Sequence, residues 1–160
     1  MQCSYIPVEQ LTLDQFTEVW MKILPFVKKL VRRGNGRISE KSIFDEVVNR
    51  EIHLWVSFDE EKDNEVVAFI ATRVREYANK RLLSFDYIGG ERVEDWFETA
   101  HDLISQWAQT KIADGGPECN GIEAIGRIGW VRFLKPRGWE QQYCIYEKMF
   151  EKDSDHGQRE

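Results

Sequence analysis

Residues 121–150 read GIEAIGRIGWVRFLKPRGWEQQYCIYEKMF. The spacing predicts a short apolar strand over 121–125, a helix that ends near Pro136, and a turn at Gly138 and Trp139. A strand closing on Tyr146, Glu147, Lys148, Met149 and Phe150 should follow. Gly138 suits a left-handed helix-ending position, where the missing β-carbon removes the steric cost, and Trp139 is placed to fold back on the helix. A strand-helix-strand unit cannot bury both its faces alone, so the residues before it must supply the rest of a sheet.

They do so in order. A first strand is expected over 4–8. Thr12 and Gln15 then have the spacing of a capping box. Phe16, Val19, Trp20, Ile23, Val27, Leu30 and Val31 form one apolar helical face, with Pro25 expected to kink or split the helix. A second helix follows the cap Ser39, carrying Ile43, Phe44, Val47 and Val48 on one face. From Ile52 the period changes to two, and runs at 52–58, 66–75 and 82–88, separated by polar turns, read as an antiparallel meander. His53 shares a face with Trp55 and reads as a part-buried, hydrogen-bonded residue.

Gly89 and Gly90 then punctuate the chain ahead of a helix. Its stripe is Val93, Trp96, Phe97, Ala100, Leu103, Ile104, Trp107, Ala108 and Ile112, all expected in the core. A strand on either side of this helix implies a right-handed crossover to a parallel neighbour. The expected fold is therefore α/β with a mixed sheet: an antiparallel meander, then a parallel β-α-β crossover, with helices on both faces.

The chain has 160 residues, 42% hydrophobic and 31% charged, the size of one domain. That domain is expected over 1–150, followed by a mobile polar tail at 151–160. No run is long and apolar enough to span a bilayer, and the start MQCSYIPVEQ has no basic-then-apolar leader, so the expected compartment is the cytoplasm. Cys3, Cys119 and Cys144 are odd in number and far apart, which argues against a disulfide framework, and with three scattered histidines no metal site is expected.

The formal net charge of −6 opposes nucleic-acid binding. The exception is local, at Lys28, Lys29, Arg32, Arg33, Arg37 and Lys41. This segment reads either as a surface for an acidic substrate or protein partner, or as a solvated helix end whose charges complement the helix dipole.

The order of elements, the Gly138-Trp139 turn and the closing aromatic-x-Lys-like tail resemble the GNAT acyltransferases. The resemblance implies acetyl-CoA as cofactor, an amine on a small molecule or protein as acceptor, and a pyrophosphate held by backbone N–H groups of a glycine-bearing loop between the meander's last strand and the long helix. The matching positions are Ile88, Gly89, Gly90, Arg92 and Val93, without the family's Gln/Arg-x-x-Gly-x-Gly/Ala pattern and with Glu91, Glu94 and Asp95 crowding the site. Asp86 is the candidate proton acceptor by the same resemblance, or else an ion-pair partner of Arg73 or Arg75 across the strands. Phe133 and Leu134 occupy the place where many family members carry a proton-donating Tyr, and Tyr143 or Tyr146 would have to substitute. The alternative is a GNAT-like module without catalysis, similar to small proteins encoded by tailed phages.

Overall fold

The computed structural model describes residues 1–151, which fall into two compact units, Met1–Ile125 and a second that begins at Gly126. Each is described by itself. The expected mobile tail at 151–160 lies almost wholly outside the described residues.

The first unit is a five-stranded sheet in the order β1-β2-β3-β4-β5. Its strands are β1 (Gln2–Ile6), β2 (His53–Asp59), β3 (Glu65–Glu76), β4 (Arg81–Gly90) and β5 (Gly121–Ala124). The first four are antiparallel neighbours, and β5 runs parallel to β4, with Leu82 opposite Gly121 and Phe85 opposite Ala124. The parallel step is made by α3 (Val93–Ala108), as the apolar stripe predicts.

Two helices cover the opposite face. In α1 (Leu13–Arg33), Thr12 accepts from the Gln15 N–H and the Gln15 side chain accepts from the Thr12 N–H, closing the capping box. Pro25 neither splits nor ends this helix. It lies on the exposed side of the helix, where the Met21 carbonyl that its missing N–H leaves without a partner faces solvent. The second helix, α2 (Glu40–Val48), is capped by Ser39. Phe16, Trp20, Ile23 and Val27 of α1, with Ile43 and Val47 of α2, bury against Ile52 just ahead of β2 and against Leu54, Val56, Phe69 and Ala71 of the sheet.

On the α3 side, Trp96, Phe97, Ala100, Ile104 and Ala108 are buried. Trp107 packs edge-on against His53 and Trp55, and His53 and the Trp55 indole share the Thr72 hydroxyl. The stripe was too generous at Leu103 and Ile112, which are exposed. The helix ends at Ala108, so Ile112 falls in a separate turn beyond it and leaves the buried face.

The second unit holds α4 (Val131–Leu134), with single helical turns on either side of it. The Gly138 turn is as expected: φ is 86°, the Gly138 N–H donates to the Lys135 carbonyl, and the Trp139 N–H donates to the Leu134 carbonyl, a Schellman pairing. The closing strand is not formed. Residues 139–151 have no regular structure, and Tyr143, Tyr146, Met149 and Phe150 are exposed. The alternation of side chains is there, but no strand hydrogen-bonds the segment, and a strand exists only as a member of a sheet.

Candidate active site

The ladder between β3 and β4 contains one irregularity. Ala71 pairs with Tyr87 and Thr72 with Phe85, so β4 carries one extra residue, Asp86, as a β-bulge. The pairing of β4 with β5 stops at Phe85, immediately before it. From Asp86 to Gly90, no strand among the described residues pairs with the outer edge of β4.

The phase of the remaining ladder decides what that edge offers. The Glu91 N–H donates to the Val67 carbonyl at 3.0 Å. Alternation along an antiparallel pair then turns the N–H groups of Gly89 and Tyr87 toward β3, and those of Ile88 and Gly90 toward the unpaired edge. Residues 88–90 are thus strand and not loop. The two glycines answer to packing: a β-carbon at Gly90 would lie 2.5 Å from the Ala68 Cβ and 2.6 Å from the Val67 carbonyl oxygen. One at Gly89 would lie 2.6 Å from the Phe69 ring and 3.1 Å from the Phe26 carbonyl oxygen of α1.

At the start of α3, Arg92 sits in the left-handed region with φ 58° and caps nothing with its side chain. Its guanidinium donates instead to Asp59 (3.0 Å) and Asp95 (2.9 Å). The hydrogen bond from Arg92, with its positive charge, holds the Asp59 carboxyl below its ordinary range. Asp95 is thereby turned aside, while Glu91 and Glu94 are exposed and the Trp96 indole donates to the Glu91 carbonyl. Val93 and Glu94 begin the helix without a side-chain cap, and their N–H groups belong to the first turn, where no intrahelical acceptor exists.

Asp86 joins a polar network on the α1–α2 face. Its carboxylate accepts from Arg73 Nε (2.9 Å), from Arg75 Nη2 (3.0 Å to one oxygen and 3.2 Å to the other) and from Ser84 Oγ (2.7 Å). The cross-strand ion pair is therefore the observed one. The same Arg73 donates to Glu46 of α2, whose other oxygen accepts from the Tyr87 hydroxyl at 2.6 Å. Arg75 also approaches Glu123 of β5 at 3.8 Å, and Tyr77 donates to that carboxylate at 2.6 Å.

Burial first, then the hydrogen bond to Glu46 and the charges of Glu46 and Asp86, push the Tyr87 phenol well above its ordinary value. It therefore stays protonated and donating. Burial opposes the charge on Arg73, but Asp86 and Glu46 outweigh it and the guanidinium is held more firmly protonated. Glu46, Tyr87 and Glu123 were not singled out by the sequence. Glu46 follows Asp45 directly in α2, so nothing in the local pattern sets it apart. Among the described residues, no group of His, Cys, Asp and Glu has the arrangement of a metal site.

Solved structures share this architecture. Ribosomal-protein-alanine N-acetyltransferase from Brucella melitensis biovar Abortus 2308 superposes with a TM-score of 0.60 at 9% identity, covering 94% of this chain and all of that one. The fold is that of the GNAT acetyltransferases. An aminoglycoside 6′-N-acetyltransferase from Acinetobacter haemolyticus gives 0.57 at 14% identity, covering 96% of this chain and 100% of its own. A possible acetyltransferase from Clostridium difficile 630 gives 0.59 at 13% identity over 94% of this chain and 98% of that one. No protein-family model and no curated protein matches the sequence. The likeness lies in the fold and not in conserved letters.

Proposed function

We propose that the protein is an N-acyltransferase that uses acetyl-CoA and modifies an amine. The observation that carries this reading is the outer edge of β4 beyond the bulge, where the N–H groups of Ile88 and Gly90 have no strand to bond. The residues present fit the cofactor through backbone alone. Ile88 and Gly90 offer donors to the amide-bearing arm, and the N–H groups of Val93 and Glu94 at the start of α3 offer an anion site reinforced by the helix dipole. Gly89 fits this reading as the residue that lets β4 pass under Phe26 and Phe69. Arg92 supports the site from outside, since Asp59 and Asp95 already occupy its guanidinium and hold the turn into α3.

Acetyl-CoA there would supply a thioester carbonyl, at which the amine would form a C–N bond as the C–S bond breaks, the proton lost by the amine leaving with CoA as its thiol. The side chains beside the bulge orient the acceptor. Asp86 has its oxygens taken by three donor groups, which leaves an incoming ammonium little room, so its part is to hold Arg73 and Arg75 in place. Glu46, held by one hydrogen bond on each oxygen from Arg73 and the Tyr87 hydroxyl, keeps a lone pair on each for a hydrogen bond from the amine. Calorimetric and thermal-shift titration with acetyl-CoA tests the reading, because a ligand of the folded state alone raises the melting temperature. A rise at submillimolar ligand is expected. Neither heat nor shift at millimolar acetyl-CoA would remove the proposal.

A second reading is favoured by the engagement of Arg92 and Asp86, and by Phe133 and Leu134 at the sequence positions where the resemblance implies a proton-donating Tyr. It is a GNAT-like binding module without catalysis. Acetyl-CoA binding without acyl transfer to any amine would select it.

A further inference from the structure

The six basic residues between Lys28 and Lys41 stand out in a chain whose formal charge is −6, with Glu40 the single acidic residue among them. Helix-end complementarity explains only part of the cluster. Arg32 and Arg33 occupy the last turn of α1, where cations are favoured, but Lys28 and Lys29 precede that turn. Lys41 lies in the first turn of α2, where the dipole opposes a cation, and is tied to Asp45. Among the described residues, no ion pair engages Lys28, Lys29 or Arg32.

Position gives these charges a use. Phe26 of α1 presses on Gly89 of β4, and Glu46 of α2 bonds Tyr87 and Arg73 beside the bulge. The basic segment joins these two anchors. At 1.5 Å per helical residue, Lys28 to Arg33 lie about 3 to 10 Å along α1 past the Phe26 contact, about one Debye length at physiological salt. An anion approaching the bulge end of β4 is met there by positive charge and repelled over the rest of an acidic surface.

We infer that the segment from Lys28 to Lys41 is the recognition surface for an acidic polypeptide, which presents its amine to the site beside the β4 bulge. The acceptor part of this inference rests on the acyltransferase reading; the binding part does not. A polycationic small amine would be disfavoured at the same surface.

The test uses an octaglutamate peptide with an unblocked N-terminal amine and a fluorophore at its other end, compared with octaserine, octalysine and a single-stranded 20-nucleotide DNA. Anisotropy should show octaglutamate binding that weakens with salt. The Lys28→Gln/Lys29→Gln/Arg32→Gln variant should loosen it at least tenfold, and Arg32→Glu alone gives an independent variant should the triple one fail to fold. Acetylation of octaglutamate by the wild-type protein should exceed that of octaserine, and the variant should abolish the preference. Failure of octaglutamate to bind, or binding indifferent to both variants, overturns the inference. Tighter binding of the DNA, lost in the same variants, also overturns it and makes the partner a nucleic acid. Peptide binding as expected without any acetyl-CoA binding upholds the surface and removes the acyltransferase reading. Acetylation of octaserine and octaglutamate at equal rates upholds the enzyme and overturns the acidic acceptor.

Discussion

Replacing Asp86 by Ala removes the acceptor shared by Arg73, Arg75 and Ser84. The carboxylate is 8% exposed, against 26% for Arg73 and 39% for Arg75. Hydrogen bonds to a charged group contribute about 1.5 to 3 kcal/mol each, but Arg75 is wet enough for water to take over most of its share. Arg73 keeps Glu46, so its charge is weakened in support but not orphaned. Ser84, nearly fully buried, loses its bond outright. The expected loss is about 2 to 4 kcal/mol, below the roughly 3 to 5 kcal/mol of a fully buried pair broken on one side.

Urea unfolding followed by tryptophan fluorescence measures this directly, and Asp86→Asn, which keeps the shape and removes the charge, should fall between wild type and Ala. In a double-mutant cycle, Asp86→Ala with Arg73→Ala should cost less than the sum of the two by at least about 1 kcal/mol. A loss under about 0.5 kcal/mol, or strict additivity, would refute the account of Asp86 as the anchor of the network. A variant that keeps its stability and loses acyl transfer would instead assign Asp86 to the chemistry.

Two further outcomes follow from the packing. Gly90→Ala should destabilise by about 1 to 3 kcal/mol, the range for forcing an extra methyl into a packed site, since its β-carbon would meet Ala68 and the Val67 carbonyl. An unchanged or raised denaturation midpoint would contradict that geometry. The second outcome concerns pH. Burial, outweighing the Thr72 hydrogen bond and the charge of Glu9, lowers the His53 pKa, so the unfolded chain takes up this proton first. The His53 contribution is fully present above about pH 6.5 and is lost as pH falls from there through the lower folded value. Melting temperature should drop from pH 7.5 to 5 more steeply in wild type than in His53→Gln, and parallel curves would remove His53 as the cause.

Much of the fold could be read from periodicity. The change of period at Ile52 marks the meander, and the stripe from Val93 to Ala108 marks the crossover helix, because each pattern maps directly to a buried face. Residues 143–150 show the limit of that logic, since alternating side chains state how a strand would lie but not which neighbour it would bond. The site was less legible for a related reason. Gly89 and Gly90 attracted notice as a loop, whereas the structure needs them because Phe69, Ala68 and Phe26 crowd a strand. The contacts of Glu46 with Arg73 and Tyr87 depend on α2 folding over β3 and β4, residues 27 and 41 positions away in sequence, and no local pattern announces them.

The bulge also sets where the length of β4 can change. Ordinarily, losing one residue from a strand inverts every side chain beyond the gap, because the two faces alternate strictly. Here Phe85 already pairs with Thr72, and Tyr87 with Ala71, as though Asp86 were absent. Removing Asp86 would therefore close the ladder with each partner and each face conserved, whereas removing Ile88 would exchange the two faces for part of the strand. What would vanish is the local bend and the carboxylate that Arg73, Arg75 and Ser84 share. The strand thus carries its polar anchor on a residue that its own pairing does not count, so the register of the sheet is independent of that position even though the side chains of Arg73, Arg75 and Ser84 are not.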